Sequence, residues 1–288
     1  MKYAQGRTSR CVGFGPDGFT LVELLVVLAI LAILAVMSLP ARATATAKAR
    51  QASCYNNFRQ LQLCWLLYSN DHADKLVPNV TEPVGGRLLM RSSSGSWVRG
   101  NAYLDITTTN IESGLLYTYN PSTGIYKCPA DRSTELDQGQ IPRSRSVSMS
   151  FYMNGEDNPG SGWYNRVWHT QSQIVAPGPS KAAVFVDEHE NSITACTFYS
   201  NSPVHNFFGT DKYQWINFPA TRHNKGCTFS FADGHAETWR WQEPRTMEIS
   251  KELPPPHNWI MWPAHDSAGP NDRDQQRLFG ALPEHDPS

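Results

Sequence analysis

The sequence predicts an α+β fold: one long N-terminal helix, its first half spanning a membrane, packed on a mainly antiparallel β-sheet, with an irregular Pro-rich tail. Three observations predict it. An apolar run from Leu21 to Leu39 carries one charge, Glu23. A helical stripe of buried type continues to about Ser69, and from Asn70 the chain breaks into short apolar runs separated by Gly, Pro, Asn and Ser.

The first 18 residues contain Lys2, Arg7 and Arg10 against Asp17 alone. Phe19 to Leu39, at ~1.5 Å per helical residue, make about 30 Å, the thickness of a bilayer core. The positive-inside bias then keeps the N-terminus cytoplasmic and sends everything after the span outside. An ordinary secretory signal competes with this reading, because Ala41-Arg42-Ala43 supplies a small-residue cleavage site. Two features oppose it: the apolar run exceeds the usual ~7–15 residues of a signal core, and it contains an acid that a signal peptide has no use for. A carboxylate within a membrane helix costs up to ~2.5–3.5 kcal/mol, so Glu23 calls for a partner or for a place at the membrane surface.

After Pro40, the apolar residues Cys54, Phe58, Leu61, Trp65 and Tyr68 repeat at the spacing of one buried helix face. Ala41 to Gln51 has no such stripe and reads as a solvated or subunit-facing spacer. The predicted organisation is a leader at 1–18, a helix at 19–69 with 19–39 in the membrane, a β-rich head at 70–252 and a Pro-rich tail at 253–288. Candidate strands are Trp97 to Leu104, Ser146 to Met153, Ala182 to Asp187, Thr194 to Tyr199, Gly226 to Phe231 and His235 to Trp241. Asp233-Gly234 between the last two is the strongest hairpin signal and predicts a type I′ turn. Beyond Leu253, seven prolines with scattered acids predict an irregular tail.

Composition narrows the function. With 25 Lys+Arg against 26 Asp+Glu, a net charge of −1 and no basic stripe, nucleic-acid binding is excluded on electrostatic grounds. Charged residues are only 18% of the chain, below the ~25% of an average soluble domain, which leans toward an extracytoplasmic head. Gly13-Phe14-Gly15-Pro16-Asp17-Gly18 fits the dinucleotide-binding spacing, but no strand precedes it. His189-Glu190 lacks the second histidine of a zinc-protease motif, and neither a G-x-S-x-G elbow nor a C-x-x-C occurs. The expectation is a protein that is not an enzyme.

Gly18-Phe19-Thr20-Leu21-Val22-Glu23 resembles the processing motif of type IV prepilins and type II secretion pseudopilins. The resemblance implies cleavage between Gly18 and Phe19 by a prepilin peptidase/methyltransferase and methylation of the new amine. It also implies an apolar helix retained in the inner membrane of a bacterium, with a periplasmic head. Glu23 becomes the fifth mature residue and matches the acid that pairs with a neighbouring subunit's amine during filament assembly; Pro40 matches the family's helix proline. A second resemblance lies in the head: His223, nine residues and Asp233-Gly234 match the H-x9-D-G signature of a large bacterial prepilin-like family, together with Cys128-Pro129-Ala130-Asp131. These likenesses imply a structural subunit of a pilus or pseudopilus whose partners are other pilin-like subunits. A single-span anchored protein that captures a glycan on a Trp-rich head is the alternative.

Two site expectations remain. The oxygen-bearing residues Asp187, Glu188 and Asp233, with His189, His223 and His235 nearby, form a candidate calcium set, against which Asp233 as a turn residue and His223 as a loop-bonding side chain are the ordinary readings. If Cys11 leaves with the leader, five cysteines remain in an oxidising compartment. Cys54 with Cys128 is the expected disulfide, stapling head to helix, and Cys196 with Cys227 a second pair.

Overall fold

The computed structural model describes residues 18–83, 90–135, 141–155, 167–201, 213–253, 265–266 and 269–283, with backbone alone at 35–41, 43, 201 and 265–266. The chain divides into two compact units, Met1–Thr46 and Ala47–Ser288. Helix α1, Leu21–Asp71, contributes to both.

In the first unit α1 starts at a capping box. Thr20 N–H donates to Glu23 Oε2 (2.9 Å) and Glu23 N–H to Thr20 Oγ1 (3.3 Å), so each residue satisfies an amide that the helix leaves unpaired. From Leu21 to Leu34 the large apolar side chains are exposed all round, Leu21 by 74% and Ile33 by 60%. Among the described residues no helix is long and apolar enough to cross a membrane. The described side chains of the run end at Leu34, about 20 Å of helix, and the remainder of the expected 19–39 span lies outside them.

In the second unit the predicted stripe is the buried face of α1. Cys54, Phe58, Leu61 and Trp65 are fully buried and Tyr68 nearly so. The helix ends where Ala73 and Asp74 turn left-handed (φ 52° and 71°) and Asp74 N–H returns to Ser69 O at 2.9 Å.

The strands are β1 (Thr81–Pro83), β2 (Met90–Ser92), β3 (Val147–Ser150), β4 (Ala183–Asp187), β5 (Thr197–Phe198), β6 (Ser200–Asn201), β7 (Gln214–Trp215), β8 (Gly226–Phe231), β9 (Ala236–Arg240) and β10 (His265–Asp266). They form a five-stranded sheet β5-β3-β4-β8-β9, a three-stranded sheet β10-β7-β6 and the hairpin β1-β2. Every pair is antiparallel except β3 with β5. Short helices α2 (Thr109–Glu112), α3 (Pro244–Glu252) and α4 (Arg273–Phe279) complete the fold.

The five-stranded sheet is covered on both faces. On β8, Cys227, Phe229 and Phe231 enter one apolar cluster with Trp215, Trp239 and Trp241. The alternating Thr228 and Ser230 face α1, Thr228 Oγ1 accepting from Cys54 Sγ (3.6 Å) and Ser230 Oγ donating to Gln62 Oε1 (2.8 Å). Strand and helix therefore run side by side, with Gly234 beyond the strand end beneath Leu66. From Cys54 to Leu66 α1 rises about 18 Å, a stretch followed by β8 from Thr228 to Phe231 and then by the hairpin loop that carries Gly234.

Three expectations are corrected. Trp97 to Leu104 is not a strand: Trp97 and Val98 are apolar because they fill the core, and Gly100 (φ 78°) breaks the run. The hairpin is not type I′. Only Gly234 of the pair has positive φ (101°), Gly234 N–H bonds Phe231 O (2.9 Å), and Phe231 and His235 flank a three-residue loop. The tail is not irregular throughout, since α4 is capped by Asp272, which accepts from Asp274 N–H and Gln275 N–H, and Leu278, Ala281 and Leu282 are buried.

Candidate functional site

At the head of β8 the backbone is unusual. His223, Asn224 and Lys225 follow one another in the left-handed region (φ 54°, 61°, 63°), a conformation that L-residues visit as single residues and rarely in series. The turn aims His223 inward: its Nε2 lies 3.1 Å from Cys128 Sγ. Cys54 arrives from α1, Cys128 from the C-P-A-D loop and Asp187 from the end of β4. The donor atoms of Cys54, Cys128, Asp187 and His223 all lie within 4.8 Å of one another, with both cysteines and Asp187 buried and His223 half-buried.

Ser146 and Arg222 organise the group. Ser146 Oγ accepts from Cys128 N–H (2.9 Å) and donates to Asp187 Oδ1 (3.0 Å), tying the cysteine loop to the carboxylate. Arg222 Nη2 reaches the same Oδ1 at 3.3 Å and Asp131 at 4.0 Å, and Nη1 reaches Glu190 at 3.3 Å. The C-P-A-D loop is closed by Asp131 N–H on Cys128 O (2.9 Å). Asp187 Oδ2 is buried and has no hydrogen-bond partner.

Electrostatics follow from burial. Desolvation pushes the Asp187 carboxyl up to about 6 against the pull of Arg222. Burial and the Arg222 charge push His223 down to about 4, leaving the imidazole neutral at pH 7. The neighbouring Cys54 and burial hold the Cys128 thiol well above its ordinary value. Burial opposes the Arg222 charge, but Asp187 and Asp131 outweigh it and raise its pKa.

The oxygen set Asp187, Glu188, Asp233 is not gathered. Successive side chains at a strand end point to opposite faces. Glu188 therefore turns away from Asp187 and accepts from Ser148 Oγ, Ser192 Oγ (2.7 Å) and Asn217 Nδ2 (2.7 Å). Asp233 sits in the hairpin loop, where its Oδ1 meets His235 N–H (3.1 Å) and Nδ1. His189, buried, accepts from Asn191 N–H through Nδ1 (3.1 Å).

Neither expected disulfide is present among the described residues, where Cys54, Cys64, Cys128, Cys196 and Cys227 are free. Cys54 and Cys128 are neighbours in one cluster, where Cys54 Sγ also meets Thr228 Oγ1 and Cys128 Sγ also meets His223 Nε2. Cys196 borders β5 and Cys227 lies on β8, with β3 and β4 between them, about 14 Å at the usual strand spacing and beyond bridging distance. Trp97, Trp168, Trp215, Trp239 and Trp241 are buried and pack the cores; Trp163 lies outside the described residues.

Gly18 and Phe19 precede α1 and are exposed, and a side chain built on Gly18 would meet nothing within 4 Å. Residues 17–39 match the prokaryotic N-terminal methylation motif. The match supports a prepilin-like N-terminus, and with it processing by a prepilin peptidase. No curated protein and no solved structure matches the chain.

Proposed function

We propose that this chain is a membrane-anchored, non-enzymatic prepilin-like subunit, processed after Gly18, that assembles into a type IV pilus or a type II secretion-like pseudopilus. The methylation-motif match at residues 17–39 carries the reading. The apolar surface of α1 from Leu21 to Leu34 supports it, because a helix that is hydrophobic all round belongs in lipid or among other helices. The test is N-terminal mass spectrometry of chain extracted from membranes, together with the identification of subunits in filaments sheared from the cell surface. A mature terminus at Phe19 and its presence in filaments are expected; a terminus near Thr44 would replace the reading with ordinary signal cleavage.

One observation favours a second reading, an anchored binding protein that never polymerises. Thr20 gives Glu23 a hydrogen-bonding partner within its own chain, so the acid has a use that needs no neighbouring subunit.

A further inference from the structure

We propose that Cys54, Cys128, Asp187 and His223 form a tetrahedral site for a soft divalent cation of the zinc class, clamping α1 to the sheet. Four donors within 4.8 Å of one another lie close enough to converge on one ion with side-chain shifts of about an ångström or less. Bonds of ~2.0–2.3 Å in a tetrahedron separate ligands by about 3.3–3.8 Å. The donor set selects the ion. Two sulfurs and an imidazole favour zinc over calcium, which takes six to eight oxygens.

Three further observations point to a ligand. Asp187 Oδ2 is a buried carboxylate oxygen without a partner, a costly state that a cation would remove. Three consecutive left-handed residues hold His223 where its Nε2 faces Cys128, and backbone strain of this kind persists where the surrounding structure needs it. Ser146 and Arg222 both bind Asp187 Oδ1 and leave Oδ2 unclaimed, which is the division of labour by which neighbouring groups orient a ligating carboxylate. With both thiols ionised, the four ligands carry three negative charges, and because Arg222 is shared among Asp187, Asp131 and Glu190, a divalent cation is the counter-charge the cluster lacks. The four ligands come from α1, the C-P-A-D loop, β4 and the turn before β8, so the ion would replace the Cys54–Cys128 disulfide as the staple.

The test uses the full mature chain purified in detergent without chelator. Expected are zinc in a one-to-one ratio to chain by elemental analysis, a melting temperature lowered by chelator and restored by zinc, and, after cobalt substitution, a thiolate-to-cobalt charge-transfer band with the intense visible bands of tetrahedral geometry. Cys128→Ser and His223→Ala should lose metal, whereas Cys196→Ser, whose thiol lies outside the cluster, should keep it. If the first two fail to fold, the wild-type cobalt spectrum alone decides, since its charge-transfer band requires thiolate ligands. Cooperatively folded wild type that takes up neither zinc nor cobalt would overturn the site, as would peptide mapping that finds Cys54 and Cys128 joined.

Discussion

Ser230 on β8 donates to Gln62 on α1 through a buried 2.8 Å hydrogen bond, and Gln62 Nε2 has no partner of its own. The bond is a polar contact in the middle of the helix-sheet interface, and its two halves are unequal. Ser230→Ala strips the buried Gln62 of its last partner and Phe185 N–H of an acceptor (3.3 Å) and should cost about 1–3 kcal/mol, whereas Ser230→Ala with Gln62→Leu should recover only the part of the loss that the stranded Gln62 contributes. Urea unfolding of the two variants and of Gln62→Leu closes the double-mutant cycle; strictly additive effects would refute the coupling.

That interface explains what was legible in the sequence. The stripe Cys54, Phe58, Leu61, Trp65, Tyr68 and the runs that became β3, β4, β8 and β9 declare themselves because each has a period matched to one buried face. Trp97–Val98 and α4 do not. The first is apolar without being paired, and the second is held by polar side chains, Asp272 and Asp274, that read as tail composition. The cysteine cluster was visible as two separate halves, Cys54 with Cys128 as an expected bridge and Asp187 with His223 in the oxygen set; only the folded sheet brings α1, the C-P-A-D loop, β4 and the turn at His223 to one point. Asp187 and Glu188 misled for a local reason, since adjacent acids look like one site until strand alternation separates them.

The hairpin loop separates backbone demand from charge. Gly234 has φ 101°, and an added Cβ would come within 3.3 Å of Leu66 Cδ1, so Gly234→Val should cost roughly 1–3 kcal/mol through strain. Asp233→Asn keeps an acceptor for His235 N–H and removes only an exposed charge, so its melting should stay within about 0.5 kcal/mol of wild type. Thermal denaturation compares them. An Asp233→Asn variant as unstable as Gly234→Val would assign the carboxylate a role beyond the turn.

Arg222 holds a nearly buried guanidinium, 11% exposed, between Asp187, Asp131 and Glu190. Arg222→Met leaves Asp187 and Asp131 buried without their counter-charge and should destabilise the head by about 3–5 kcal/mol at neutral pH. Chemical denaturation checks the size. A loss below about 1 kcal/mol would mean that this arginine behaves as a surface ion pair.

The C-terminal segment makes a sharper claim than its composition did. Asp274 is buried and accepts from Gln242 N–H (2.9 Å), Glu243 N–H (2.9 Å) and Thr246 Oγ1 (2.8 Å), fastening α4 to the start of α3. Asp274→Ala leaves those donors unpaired and should cost at least ~1–3 kcal/mol. Hydrogen exchange should then show faster exchange at Gln242, Glu243 and along α4, with β3 and β4 unchanged; unaltered exchange in α4 would show that apolar packing alone holds it.

The capping box at Thr20 and Glu23 allows the two readings of the acid to be separated. A glutamine at the third helical position still closes a capping box, so Glu23→Gln keeps the helix start and removes only the charge. Thr20→Ala does the reverse, deleting the side-chain cap while the carboxylate remains. If Glu23 pairs with the amine of a neighbouring subunit, Glu23→Gln should abolish filaments, and Thr20→Ala should leave them assembled. If the acid serves only its own helix, Glu23→Gln should be silent and Thr20→Ala the more damaging change. Mass spectrometry of the N-terminus should place both variants at Phe19, so that a difference in sheared filaments reports assembly and not processing. We expect filaments from Thr20→Ala and none from Glu23→Gln; normal filaments from Glu23→Gln would leave the acid with its capping role alone and remove the assembly role assigned to it.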